Sequence, residues 1–187
     1  MASSEYLTNQ FLIAMPTLTD PNFAHTVTFI WEHNEDGALG IIINRPLQMR
    51  LGDVFDQLNM PTAEGVNTQQ PVLQGGPVQV DRGFVVHPVG GRWEHTKQVS
   101  SRIQITTSPD ILSAMARGTG PDTAIVALGY AGWGPGQLES EIAQNAWLTA
   151  PCDERILFEV PYEQRWRAAG RLLGIDLATM SPHVGHA

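Results

Sequence analysis

A chain of 187 residues with 42% hydrophobic residues carries enough apolar side chain for one sizeable core, and its length reads as one domain over residues 1–187. A formal charge of -8 opposes tight binding to phosphate backbones, so direct nucleic-acid binding is not expected. The single cysteine, Cys152, excludes an intrachain disulfide framework, and the opening apolar run at residues 11–15 is too short for a signal core or a membrane span; the expected setting is the cytoplasm, with no membrane partner.

In chain order, "QFLIAM" and "TVTFIWEH" are apolar runs of strand length separated by the loop "PTLTDPNFAH". "TVTFIWEH" and "ALGIIINR" flank the polar turn "NEDG", which predicts a hairpin with Gly37 at positive φ. Leu51, Val54, Phe55 and Leu58 recur at helical spacing and predict a short helix, followed by a long surface loop over residues 61–71. "PVLQGGPVQVDRGFVVHPVGGRWEH" reads as strand-rich, with Gly75, Gly76 and Pro77 opposing a helix. "SRIQITTS" alternates like a half-buried strand. Ser108 as N-cap, Pro109 at the first helical position and Gly118 as the stop then predict a helix over 109–117. "TAIVALGY" is the most strand-like run, and a helix over residues 137–147 and a strand "RILFEV" follow it. A final helix places Tyr162, Trp166, Ala169 and Leu173 on one stripe, and Gly174 ends it. Hairpin-joined early strands and helix-separated later ones give an α+β class, a mixed sheet with about four helices around it.

The stretch "LGYAGWGPGQLESEIAQNAW" leaves a strand through glycines and a tryptophan and enters a helix with two carboxylates. On a helix over 137–147, Leu138, Ile142, Ala143, Ala146 and Trp147 form an apolar arc that contains Glu139 and opposes Glu141. Glu139 is therefore expected to point inward, toward glycine-turn amides or Arg45, and Glu141 to be solvated in the first turn. The functional reading is a pocket roofed by Trp133. The competing one is a carboxylate that locks a tight turn, with Trp133 as packing. A phosphate cradle is opposed by "GPGQLE" itself, which lacks the third fingerprint glycine and offers Pro135 and Glu139 instead.

Other clusters have simpler explanations. Glu32, His33 and His87 suit zinc by chemistry, but adjacent strand residues face opposite ways unless a bulge intervenes. His183 and His186 sit in a terminal segment. Cys152 has the acidic neighbours Asp153 and Glu154, which raise a thiol pKa, and no Gly-x-Ser-x-Gly elbow is present. Arg165, Arg167 and Arg171 could touch nucleic acid, but Glu163, Arg167 and Arg171 fall at the spacing of intrahelical ion pairs. No metal or cofactor motif is identified.

The motifs "FLIAMPTLTDPNF", "WEHNEDGALGIIINRP", "LQGGPVQVDRGFVVH", "LGYAGWGPGQLESEIAQNAWL" and the closing "GHA" together resemble the AlgH/YqgE family of bacterial proteins, along nearly the whole chain. The resemblance implies a barrel-like sheet within the α+β fold and a link with transcriptional regulation; it implies no catalytic residue. Two expectations follow. One is a regulatory or protein-interaction module acting indirectly through a protein partner. The other is a small-ligand binder or enzyme whose candidate pocket gathers Asn44, Arg45, His87, Tyr130, Trp133, Gln137 and Glu139.

Overall fold

The computed structural model describes residues 6–180. Ten strands form one sheet curled into half a barrel, with five α-helices against it, which is the α+β class expected from the sequence. The chain opens with β1 (Gln10–Ala14), β2 (Val27–Asn34), β3 (Gly37–Ile42), β4 (Pro46–Arg50), α1 (Leu51–Gln57), β5 (Pro71–Gln74) and β6 (Val78–Pro88). It continues through β7 (Thr96–Gln98), β8 (Ile103–Thr106), α2 (Asp110–Arg117), β9 (Ile125–Trp133), α3 (Gln137–Ala143) and β10 (Trp147–Pro151). It closes with α4 (Glu154–Phe158), a 3-10 turn (Tyr162–Gln164) and α5 (Arg165–Arg171). The strand order is β10-β1-β2-β3-β9-β6-β8-β7, with β4 paired to β5 and β5 to β9. All pairs are antiparallel except β5 with β9.

The β2–β3 hairpin closes at Asn34 opposite Gly37, and Gly37 takes φ +132. Gly118 ends α2 in the left-handed region at φ 80. Pro109 serves as the cap residue of α2, whereas the Ser108 hydroxyl donates to Asp110 Oδ1 at 2.6 Å rather than capping a backbone N–H.

Two elements differ from the sequence expectation. "RILFEV" is not a strand. Asp153 caps the start of α4, its carboxylate accepting from the Arg155 and Ile156 N–H groups, and this local cap overrides the β-propensity of the run. The helix expected over 137–147 stops at Ala143, because Asn145 adopts φ 62 and turns the chain into β10, where Trp147 pairs with Ala14.

Strand β9 lies between flanks that run in different directions. On one side β5 is parallel to it, with Leu73 opposite Ala127; on the other β6 is antiparallel, with Phe84 opposite the same Ala127. The link Gly75–Gly76–Pro77 must therefore pass across β9, and it does so at Gly129. A Cβ on Gly76 would stand 2.1 Å from the Tyr130 carbonyl carbon, one on Gly75 2.4 Å from Gly129 O, and one on Gly129 2.5 Å from Gly76 O. The glycines of "LQGGP" and "LGY" are thus explained by close passage of backbones.

Both faces of the sheet are covered. The main core joins Phe11, Phe29, Ile41, Phe84 and Val86 to residues of α4 and α5. A second core sets Leu12, Ile30 and Ala131 against Leu138 of α3, and a third sets Val85 and Val126 against Leu51 and Phe55 of α1 and Ile111 of α2.

Candidate functional site

The glycine–tryptophan turn is held together by the carboxylate expected to be solvated. Glu141 Oε1 accepts the indole N–H of Trp133 and that of Trp147, each at 3.0 Å, and Oε2 accepts from Gln137 Nε2 at 2.9 Å. Gln137 Oε1 in turn accepts the Gly134 N–H at 3.0 Å, closing the turn on itself. Trp133 is only 6% exposed, packed edge-on against Trp147 and beside Phe23, so it roofs no open pocket.

The expected orientations of Glu139 and Glu141 are therefore reversed. Glu139, read as inward, has a side chain 47% exposed, and it bonds neither Arg45 nor a glycine amide; its oxygen lies 3.0 Å from His33 Nε2. The error lies in the helix length. Ala146 and Trp147 belong outside α3 and Ala143 at its end is exposed, so the inward side that remains, Leu138 and the half-buried Ile142, is flanked by both carboxylates at about 80° on either side. Helical phase cannot choose between them. The neighbours choose: two indole donors on one flank, one imidazole on the other. His33 Nδ1 accepts the Leu7 N–H at 2.9 Å, so Nε2 carries the proton donated to Glu139. A bulge between Ile30 and Glu32 separates the neighbouring acidic residue, which pairs with Lys97 instead.

The remaining predicted residues lie apart from Glu139. Asn44 accepts from Val27 N–H and donates to His25 O, while Arg45 donates to the carbonyls of Pro21, Asn22 and Ala24 at 2.8–2.9 Å. Together they fix the loop that carries Phe23 onto Trp133 and Trp147. Partial burial lowers the Arg45 pKa, and Asp20 works against that shift. Since a lysine ammonium donates from a single nitrogen and cannot reproduce the reach of two guanidinium nitrogens to these carbonyls, Arg45→Lys is expected to cost about 1–3 kcal/mol and to speed amide hydrogen exchange in the loop between β1 and β2, read by exchange mass spectrometry.

His87 is fully buried. Its Nδ1 donates to Pro88 O at 2.8 Å and its Nε2 accepts from the Thr106 hydroxyl at 2.7 Å; burial pushes its pKa down, opposed by the Pro88 carbonyl. Tyr130 stacks edge-on against Phe84, 5.7 Å between ring centroids. Of the seven predicted residues, then, Trp133 and Gln137 share Glu141, Asn44 and Arg45 share a loop, and His87, Tyr130 and Glu139 stand separately.

The structure offers a different concavity. A groove of about 380 Å³ runs between α1, α2 and the strands β6 and β9, walled by Met49, Val54, Leu58, Leu112 and Leu128, and among the described residues its only charged lining residue is Asp81. Leu58 is 46% exposed there. Asp81 reaches the groove because β6 arches away from β9 between Val78, opposite Tyr130, and Gly83, opposite Leu128. The sequence carried one signal for this site, Leu58 at the end of the short helix, but the helical spacing that marks it reads it as a core residue and not as an exposed one.

Among the described residues no group of three or more His, Cys, Asp or Glu side chains is placed to hold a metal, and no helix is long and apolar enough to cross a membrane. The Cys152 thiol is pushed up to about 12, by burial first and then by Glu154 and Asp153. The segment holding His183 and His186, and the closing "GHA", lie outside the described residues.

A family model described as AlgH-like matches residues 11–178. A UPF0301 protein of Thioalkalivibrio sulfidiphilus is 55% identical over 187 residues, covering 100% of both chains, and one of Nitrosococcus oceani is 52% identical over 182, covering 97% of each. The solution structure of the AlgH protein from Pseudomonas aeruginosa superposes with a TM-score of 0.80 at 46% identity, covering 100% of this chain and 99% of that one. A crystal structure of a Corynebacterium diphtheriae protein has a TM-score of 0.72 at 21% identity, covering 95% and 92%, and shares the fold.

Proposed function

This chain belongs to the AlgH-like family, and from that premise we propose that it is a protein-interaction module whose regulatory effect, including any on transcription, passes through a protein partner. The observation that carries the reading is the groove at α1 and α2: a half-exposed Leu58 beside Met49, Val54 and Leu112, with one carboxylate, Asp81, in an otherwise uncharged wall. A single exposed leucine needs no cover, but Leu58 adjoins the partly exposed Met49, Val54 and Leu112, and a contiguous apolar patch supports reading the groove as a contact surface. The occupant is an amphipathic helical segment of another protein, with apolar side chains in the groove and a Lys or Arg beside Asp81. Charge supports this choice, since the chain carries -8 overall and Asp53 and Asp56 lie exposed on α1. The same acidity favours a partner other than nucleic acid, and the lone, partly buried Cys152 supports a cytoplasmic setting.

Titration of a short basic amphipathic peptide into isotopically labelled protein is expected to move the amide resonances of Val54, Leu58, Asp81 and Leu112. Leu58→Asp is expected to weaken that binding at least roughly tenfold while changing stability by less than about 0.5 kcal/mol, because the side chain is at the surface. Shifts scattered elsewhere, or unchanged affinity in the variant, would reject the groove as the site. Saturable binding of a small apolar molecule in the groove without any peptide response would replace the partner by a small ligand.

A second reading keeps Glu139 as a contact for a cationic small ligand. It is favoured by one observation, the half-exposed carboxylate oriented by a buried imidazole. Thermal stabilisation by such a ligand in the parent protein, lost in Glu139→Gln at unchanged basal stability, is the result that supports it.

A further inference from the structure

The geometry points to an oxyanion site at Arg165, separate from the groove and from the tryptophan turn. Arg165, at the start of α5, is only 3% exposed, yet among the described residues no carboxylate pairs with it; the four ion pairs lie elsewhere. Its Nε donates to Val160 O and its Nη1 to Ile43 O, each at 2.8 Å. Those carbonyls tie α5 to the end of β3, but they carry no net charge and use two of the five guanidinium N–H groups. Three N–H groups are left without an acceptor among the described residues. No Arg165 nitrogen is both enclosed and unbonded, so these N–H groups open onto accessible space where a counterion can reach them.

The surroundings supply room for one. Arg165 lines a concavity of about 350 Å³ with Asn67, Gln70, Thr123 and Tyr162. The Tyr162 ring lies 4.5 Å from the guanidinium carbon, covering one face, so an incoming group must approach in the guanidinium plane, which is the approach that forked hydrogen bonds to carboxylate or phosphate oxygens use. Asn67 spends its carbonyl oxygen on Gln69 N–H, which leaves its amide donors free for an anion. Burial lowers the Arg165 pKa to about 10, the direction expected for a cation lacking its counter-charge, and the group still stays protonated at neutral pH. Asp122 at the exposed rim opposes the site and sets an upper limit on its affinity. The ligand is a small molecule with one carboxylate or phosphate head; a bulky polyanion is repelled by the acidic surface.

The test uses the full chain at constant ionic strength. Inorganic phosphate and acetate are titrated separately, with chloride as the balancing anion, and the Arg165 Nε–H and Thr123 amide resonances are followed. At least one oxyanion is expected to give a saturable shift that chloride does not give, and the two arms show whether phosphate or carboxylate is preferred. Asp122→Asn is expected to tighten binding roughly three- to tenfold and Gln69→Glu to weaken it by a similar factor; both side chains are exposed, so the fold is retained. Responses indistinguishable from those in chloride, or dissociation constants unmoved by both substitutions, would overturn the site and leave Arg165 as a clip between α5 and β3.

Discussion

Gly76→Ala is expected to yield a protein that fails to assemble its sheet, with a loss of at least about 3 kcal/mol in chemical denaturation or no cooperative transition at all. The added methyl meets backbone, at 2.1 Å from the Tyr130 carbonyl carbon, and cannot be relieved by turning a side chain. The residue also sits at φ +157, outside the range that L side chains adopt readily. Gly132→Ala is the matched control. It lies in the same strand, β9, but its nearest neighbour would be a Tyr130 ring carbon at 3.5 Å, an ordinary contact, so its effect is expected within about 0.5 kcal/mol. Equal behaviour of the two variants would show that the crossing over β9 is not as tight as described.

Glu141→Ala is expected to cost about 2–4 kcal/mol, against less than about 1 kcal/mol for Glu139→Ala. Removing the Glu141 carboxylate strands the indole N–H groups of Trp133 and Trp147, both nearly buried, and each unmet donor carries its own desolvation penalty. Removing Glu139 loses one bond to His33 from a side chain already half in water. Glu141→Gln should fall between the two, since an amide oxygen can still receive both indoles while its NH₂ faces the Gln137 donor. Denaturation midpoints of the three variants, with tryptophan emission as the probe, decide the order. A larger loss for Glu139→Ala would restore the inward role that helical phase assigned to it.

What the sequence revealed and what it hid follow from the range of the interactions. Local signals were readable: the two-residue turn before Gly37, the left-handed stop at Gly118 and the spacing of Leu51, Val54 and Phe55 all act within a few residues. Asp153 was a local signal as well, a cap three residues before Ile156, but the apolar run behind it reads more strongly as a strand. The site was less legible, because each decisive partner lies far away in sequence. His33 meets Glu139 across 106 positions, and Arg165 meets Ile43 across 122. The stripe expected on the last helix shows the same limit: Leu173 is exposed, and the buried face carries Arg165 with Ala169 and Gly170. Arg167 pairs with Asp176 beyond the helix end, at 3.6 Å, and not with Glu163.

The placement of β9 also constrains how the protein is made. This one strand joins β3 and β5 on one flank to β6 on the other, yet it is synthesised after all of them. A nascent chain on the ribosome therefore holds open edges on both flanks until residues 125–133 emerge, and the final closure by β10 onto β1 comes later still. Assembly is committed late, and the interval before it is when the chain is most vulnerable to pairing with a neighbour.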